Sequence, residues 1–207
     1  MTDLRTSDGL TLEARWDSPE GHPAGVVVFC HPHPQQGGTM NAPLMRAVTG
    51  VLVDRGLNVL RFNFRGIGAS EGRYDGGVGE VDDVAAAVGA ARSAHPALPF
   101  GIAGWSFGAV TALGWQAREQ DTSPYAGIAP PRRLSSGEEI IPPERLAPAD
   151  RLFVLGDRDQ FTTPAELQEY ADAVGGRLEV LSGSDHFFYF REDRVGGRLA
   201  DHFLHER

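Results

Sequence analysis

Short apolar runs alternate along the chain with longer stretches in which apolar residues recur every three or four positions. Val26-Val27-Val28-Phe29-Cys30 is unbroken and largely β-branched, the pattern of a strand covered on both faces and therefore internal and parallel. Thr11 to Trp16 instead alternates Leu12, Ala14 and Trp16 with Thr11, Glu13 and Arg15, which predicts a half-exposed strand near a sheet edge. Asn58 to Phe64, Phe100 to Ala103, Tyr125 to Ala129, Arg151 to Leu155 and Leu178 to Leu181 read as further strands. Between them fall helical spacings. Leu44, Met45, Val48, Val51 and Leu52 precede a C-capping Gly56, and Val78 to Ala91 carries Glu80, Asp82 and Asp83 early, where acids suit the helix dipole. Ala109 to Ala117, Leu167 to Val174 behind Pro164, and Val195 to Phe203 complete the set.

Strands alternating with helices over most of the chain predict an α/β fold. Its central sheet is mostly parallel, with helices on both faces and reactive groups at the C-terminal ends of the strands. Pro130 to Pro148 is the one long stretch without periodicity. At about 19 residues it is too short for an independently folded lid, so it is expected as a surface excursion, with no separate cap domain. A chain of 207 residues that is 41% apolar can bury one substantial core, and residues 1–207 are expected to form a single domain.

Charge narrows the choice of partners. A net charge of −9 with no Lys/Arg-rich block argues against nucleic acid and anionic membrane, both of which need concentrated positive charge. The first residues, Met1-Thr2-Asp3-Leu4-Arg5, lack a basic-then-apolar signal pattern, and no apolar run approaches the roughly 20 residues that span a bilayer, so the expected location is cytoplasmic. Cys30 is the only cysteine and ends an apolar run, which suits a small core residue better than a reactive thiol. No nucleotide cofactor is expected: Gly66-Ile67-Gly68 has Glu71 where a third glycine belongs, and Gly-Lys-Ser/Thr does not occur.

The candidate chemistry centres on Gly104-Trp105-Ser106-Phe107-Gly108, which joins the apolar run Phe100 to Ala103 to a helical run. A turn that tight between strand and helix needs residues without bulk beside its apex, and it leaves the apex hydroxyl pointing into open space. Gly68-Ala69-Ser70-Glu71-Gly72 carries the same spacing but lies in a glycine-rich, charged stretch with no apolar run on either side, so it reads as a loop. A serine hydroxyl becomes a nucleophile only when a base removes its proton, and that base needs a third group to fix its tautomer. Asp157 and Asp159 follow the strand ending at Leu155, and His186 follows the strand ending at Leu181, giving the order Ser, Asp, His expected of a strand-turn-helix nucleophile. Asp159 has more room to reach a neighbouring loop and is preferred, with Asp157 capping its own turn. Of the other histidines, His95 ends a helix, His22 lies in a turn, and His202 and His205 read as solvated helix surface.

His31-Pro32-His33-Pro34 follows the strand Val26 to Cys30. A metal pair is the weaker reading, because an extended His-x-His points its side chains to opposite faces and no third ligand stands nearby. Acyl transfer needs two N–H groups aimed at the developing oxyanion, one from Phe107 after the nucleophile and one from this loop. Proline has no N–H, so His31 or His33 must supply it, and His33 lies farther past the strand.

With these residues in place, the chain from Val26 to Phe188 resembles the α/β-hydrolase superfamily. More narrowly it is similar to the small capless bacterial hydrolases with His-Pro-His-Pro after the first central strand. The resemblance is carried by His31 to Met40, Arg61-Phe62-Asn63-Phe64-Arg65-Gly66, Gly104 to Gly108, Gly156 to Asp159 and Asp185-His186-Phe187-Phe188. It implies Ser106 as nucleophile, Asp159 as acid, His186 as base, and Gly68 to Gly72 as a structural loop. The function expected is a serine hydrolase acting on a small-molecule acyl substrate, a carboxylic ester or else a thioester or amide. The alternative is a non-catalytic binding or regulatory member of the same fold. A histidine base predicts activity rising through roughly pH 6 to 7.5.

Overall fold

Burial separates the internal strands from the edges. Every residue of β3 (Gly25–Cys30), β4 (Leu57–Phe62), β6 (Tyr125–Ile128) and β7 (Arg151–Gly156) is buried, as is all but the first residue of β5 (Phe100–Trp105). β8 (Arg177–Leu181), at one edge, keeps only Leu181 buried, and β2 (Thr11–Asp17), second from the other edge, buries alternate residues. These strands belong to one eight-stranded sheet in a computed structural model that describes residues 2–133 and 140–205. The order is β1-β2-β4-β3-β5-β6-β7-β8, with β1 (Thr2–Arg5) and β2 antiparallel and every pairing from β4 to β8 parallel. β1 was not expected from the sequence. Leu4 is its only buried residue, and its pairing with β2 supplies what hydrophobicity does not.

The crossovers decide where a crevice opens. α1 (Pro43–Asp54) carries the chain from β3 outward to β4, and α2 (Glu80–Ala94) carries it back across β3 to β5. Right-handed crossovers in opposite directions place α1 on one face and α2 on the other. α3 (Phe107–Glu119) and α4 (Pro164–Ala173) continue in the direction of α2 and share its face, while α5 (Glu192–Phe203) packs beside α1. The direction reverses between β3 and β5, whose ends lie level with Cys30 paired to Gly104. At such a reversal the loops diverge and leave a crevice beyond the strand ends.

Several expectations change. Glu80, Asp82 and Asp83 lie in the first turn of α2 as expected, but Glu80 and Asp83 are also fully buried: Glu80 accepts the Asp75 and Gly77 N–H groups at 2.9 and 2.8 Å, and Asp83 holds Arg65 at 2.8 Å. Only Asp82 of that trio lies at the surface, where it pairs with Arg118. His202 is buried on the inner face of α5, whereas His205 is exposed. Cys30 lies in the core, and burial pushes its thiol well above the ordinary range. Of the stretch from Pro130 to Pro148, residues 134–139 lie outside the described residues. Its described ends are anchored, with Arg132 N–H donating to Thr162 Oγ1 at 3.2 Å and Ile140 buried. Among the described residues no helix is long and apolar enough to cross a membrane.

Candidate active site

Ser106 occupies a strained turn. Its φ of 54° and ψ of −119° lie in a region that costs an L-residue of order 1–3 kcal/mol. Both flanking glycines are required by contact. A Cβ on Gly104 would stand 2.4 Å from the Ala109 nitrogen, and one on Gly108 would stand 2.4 Å from the carbonyl oxygens of Cys30 and His31. The N-terminus of α3 is thereby pressed against the end of β3, and the loops after β3 and β5 meet.

The loop after β3 is the His-Pro-His-Pro segment, and its two histidines play different parts. His31 is fully buried, with Nδ1 on the Pro32 carbonyl at 2.6 Å and Nε2 accepting the Phe64 N–H at 3.0 Å. Both nitrogens are occupied, and burial pushes its pKa down to about 4, so it is a neutral structural brace. His33 lines the same cavity as Ser106. Its carbonyl accepts the Gln36 and Gly38 N–H groups at 3.0 Å each, and its Nδ1 accepts the Gln35 N–H at 3.2 Å. Its ring lies 5.1 Å from that of Phe107 and 5.2 Å from that of Tyr74. Among the described residues no acceptor meets the backbone N–H of His33 or of Phe107. Ser70 lies elsewhere and is consumed structurally, accepting the Glu13 N–H and donating to the Asn63 carbonyl at 2.7 Å.

The structure brings Asp159, not Asp157, to the imidazole. Asp159 Oδ2 lies 2.7 Å from His186 Nδ1, with the two side chains 1% and 5% exposed. Its other oxygen accepts the N–H groups of Phe161 and Thr162 at 2.8 and 3.1 Å, which fixes the carboxylate plane. Asp157 does not cap its own turn as expected. It reaches across to the loop after β8, accepting from Gly183 N–H at 2.7 Å and Ser182 Oγ at 3.1 Å. The tautomer that donates Nδ1–H to Asp159 leaves Nε2 as the ring's acceptor nitrogen. His186 and Ser106 line one cavity of about 370 Å³.

Sequence reasoning missed what surrounds the imidazole. Trp105, beside the serine, donates its indole N–H to the His186 carbonyl at 3.2 Å. Phe161, Phe187 and Tyr189 also line the cavity, each substantially exposed. A signal was present in Phe187-Phe188-Tyr189-Phe190, four aromatics following His186 in a row, of which only Phe188 is buried.

Residues 21–147 match the family model Hydrolase_4, described as serine aminopeptidase, S33. The chain is similar to RP471 of Rickettsia prowazekii, 28% identical over 203 residues that cover 93% of this chain and 84% of that protein. Among solved structures it is similar to an α/β serine hydrolase homologue from Coxiella burnetii, at 28% identity and a TM-score of 0.81 over 96% of this chain and 94% of that one. It is likewise similar to XC6422 of Xanthomonas campestris, an α/β serine hydrolase without a lid, at 27% identity and a TM-score of 0.82 over 99% and 92% of the two chains.

Proposed function

Because the chain belongs to the α/β-hydrolase superfamily, in the family described as serine aminopeptidase, S33, we propose that it is a serine hydrolase that cleaves carboxylic esters through an acyl-enzyme on Ser106. The observation that carries this reading is the buried Asp159–His186 pair, which shares one cavity with a serine on a strained strand-to-helix turn. Ser106 Oγ attacks the ester carbonyl while His186 Nε2 takes its proton, and Asp159 stabilises the imidazolium that forms. The negative charge that develops on the carbonyl oxygen is met by the N–H groups of Phe107 and His33, each such donor contributing about 3 kcal/mol in the transition state. His186 returns the proton to the leaving alkoxide and the alcohol departs. Water then attacks the acyl-serine, giving up a proton to His186, and the carboxylic acid leaves as that proton returns to Ser106. Thioesters and amides would use the same groups.

A fluorophosphonate probe tests the assignment directly. Wild type is expected to be labelled on Ser106, and Ser106→Ala to remain unlabelled and inactive towards a panel of short acyl esters. Labelling that persists in Ser106→Ala would exclude this serine as the nucleophile. Absence of both labelling and turnover in wild type would favour a binding role.

A further inference from the structure

The cavity has two chemically different walls. On the imidazole side stand Phe161, Phe187 and Tyr189, which are 57%, 41% and 60% exposed. The Phe161 ring meets His186 edge-on with centroids 4.6 Å apart, Phe187 meets it at 5.5 Å, and Tyr189 stacks on Phe187 at 5.7 Å with 24° between planes. The loop after β3 and the start of α1 line another part with His33, Gln36, Gly37, Gly38, Ala42 and Leu44, a stretch without an exposed Phe, Tyr or Trp. Large rings left side by side in solvent cost free energy, and such a patch marks a place where an apolar partner is received.

The reaction itself decides which part of the ester meets which wall. The base that takes the serine proton must hand it to the leaving oxygen, so the alcohol half of the ester lies on the imidazole side of the reacting carbon. Its carbonyl oxygen faces the N–H donors instead. Resting on the serine-hydrolase reading above, we propose that the discriminating subsite of this protein receives the alcohol moiety and takes an aromatic one. The leaving group's ring packs against Phe161 and the Phe187–Tyr189 stack. Offset and edge-to-face ring pairing, added to burial of the ring itself, is expected to raise transition-state binding about tenfold or more.

Two pairs of esters separate this from a general taste for large substrates. Phenethyl acetate against ethyl acetate adds a ring to the alcohol, and ethyl hydrocinnamate against ethyl propanoate adds one to the acyl group. Both alcohols are primary alkanols, so the chemical step is matched. The expected kcat/KM ratio is about tenfold or more for the first pair and within about threefold for the second. Phe187→Ala combined with Tyr189→Ala is expected to collapse the first ratio towards unity. Phe190→Ala, on the same loop but outside the cavity lining and 90% exposed, is expected to preserve it. Equal ratios for the two pairs, or an alcohol preference that survives the double substitution, would overturn the assignment while leaving the hydrolase reading intact. No turnover of any ester, with Ser106 unlabelled, would overturn both.

Discussion

Trp105 donates its indole N–H to the carbonyl of His186 at 3.2 Å, so the residue next to the elbow serine is tied to the backbone of the imidazole's own residue. The two rings also lie 6.1 Å apart. The turn at Ser106 and the loop at His186 are thus joined by a cross-link that uses neither the hydroxyl nor the imidazole. Trp105→Phe keeps an apolar ring but removes the N–H. Kcat is expected to fall about fivefold with little change in KM, since one neutral hydrogen bond contributes about 1 kcal/mol and the loss falls on positioning. Unchanged kcat would show that the tether has no part in holding the base.

Asp159 and Asp157 offer a matched pair of substitutions. Asp159→Asn keeps an oxygen for the Phe161 and Thr162 N–H groups but faces His186 Nδ1 with an amide, which favours the wrong tautomer. Kcat is expected to fall by roughly 10³–10⁴-fold with the fold intact. Asp157→Asn loosens the bridge to Gly183 and Ser182 and is expected to cost stability of about 1 kcal/mol, with kcat within a few-fold of wild type. Steady-state kinetics beside thermal denaturation of both variants distinguishes the roles, and equal kcat losses would refute the distinction.

What the sequence disclosed divides along physical lines. Ser106, Asp159 and His186 were legible because each sits just past a strand, and strand ends are marked by apolar runs that stop. The glycines at 104 and 108 were legible for the same reason, since a tight turn leaves a compositional trace. Trp105 and the aromatic wall were not, because their partners depend on how loops after β5, β7 and β8 fold towards one another. Burial of charge was equally hidden. Glu80 and Asp83 are helix-start acids, but their burial shows only once the Asp75–Gly79 loop and Arg65 are seen to need them. β1 escaped because Leu4 alone gives no period to detect.

Two glycine-to-alanine changes should act in opposite directions. At Gly108 the added methyl would lie 2.4 Å from two carbonyl oxygens of the facing β3 end, backbone that cannot move without displacing the His33 loop. Gly108→Ala is expected to destabilise by more than about 3 kcal/mol or to prevent folding. Gly89 is an exposed position inside α2 with nothing within 4 Å of a built Cβ, and Gly89→Ala is expected to stabilise by about 0.5–1 kcal/mol. Chemical denaturation checks both, and a tolerated Gly108→Ala would contradict the close approach of α3 to β3.

The last prediction concerns acid stability. His202 is buried under α5, with Nε2–H donating to the Tyr125 carbonyl at 3.0 Å and Nδ1 receiving Arg177 at 3.3 Å, so protonating Nδ1 would turn an acceptor against a guanidinium. Burial first, and the Arg177 charge with it, push its pKa down to about 4, against an opposing pull from Asp150. His31 is pushed down to about 4 in the same way. Because each folded-state pKa lies below the unfolded value of 6.5, the unfolded chain binds protons first as pH falls. The stability these neutral histidines preserve is complete above about pH 6.5 and is lost progressively down to about pH 4, by about 2 kcal/mol for each at pH 4.5. His202→Gln can still donate to Tyr125 and accept from Arg177 but does not titrate. The difference in unfolding free energy between pH 7 and pH 4.5 should shrink by about 2 kcal/mol in that variant. Parallel stability curves for variant and wild type would show that His202 binds its proton equally well in the folded and the unfolded chain.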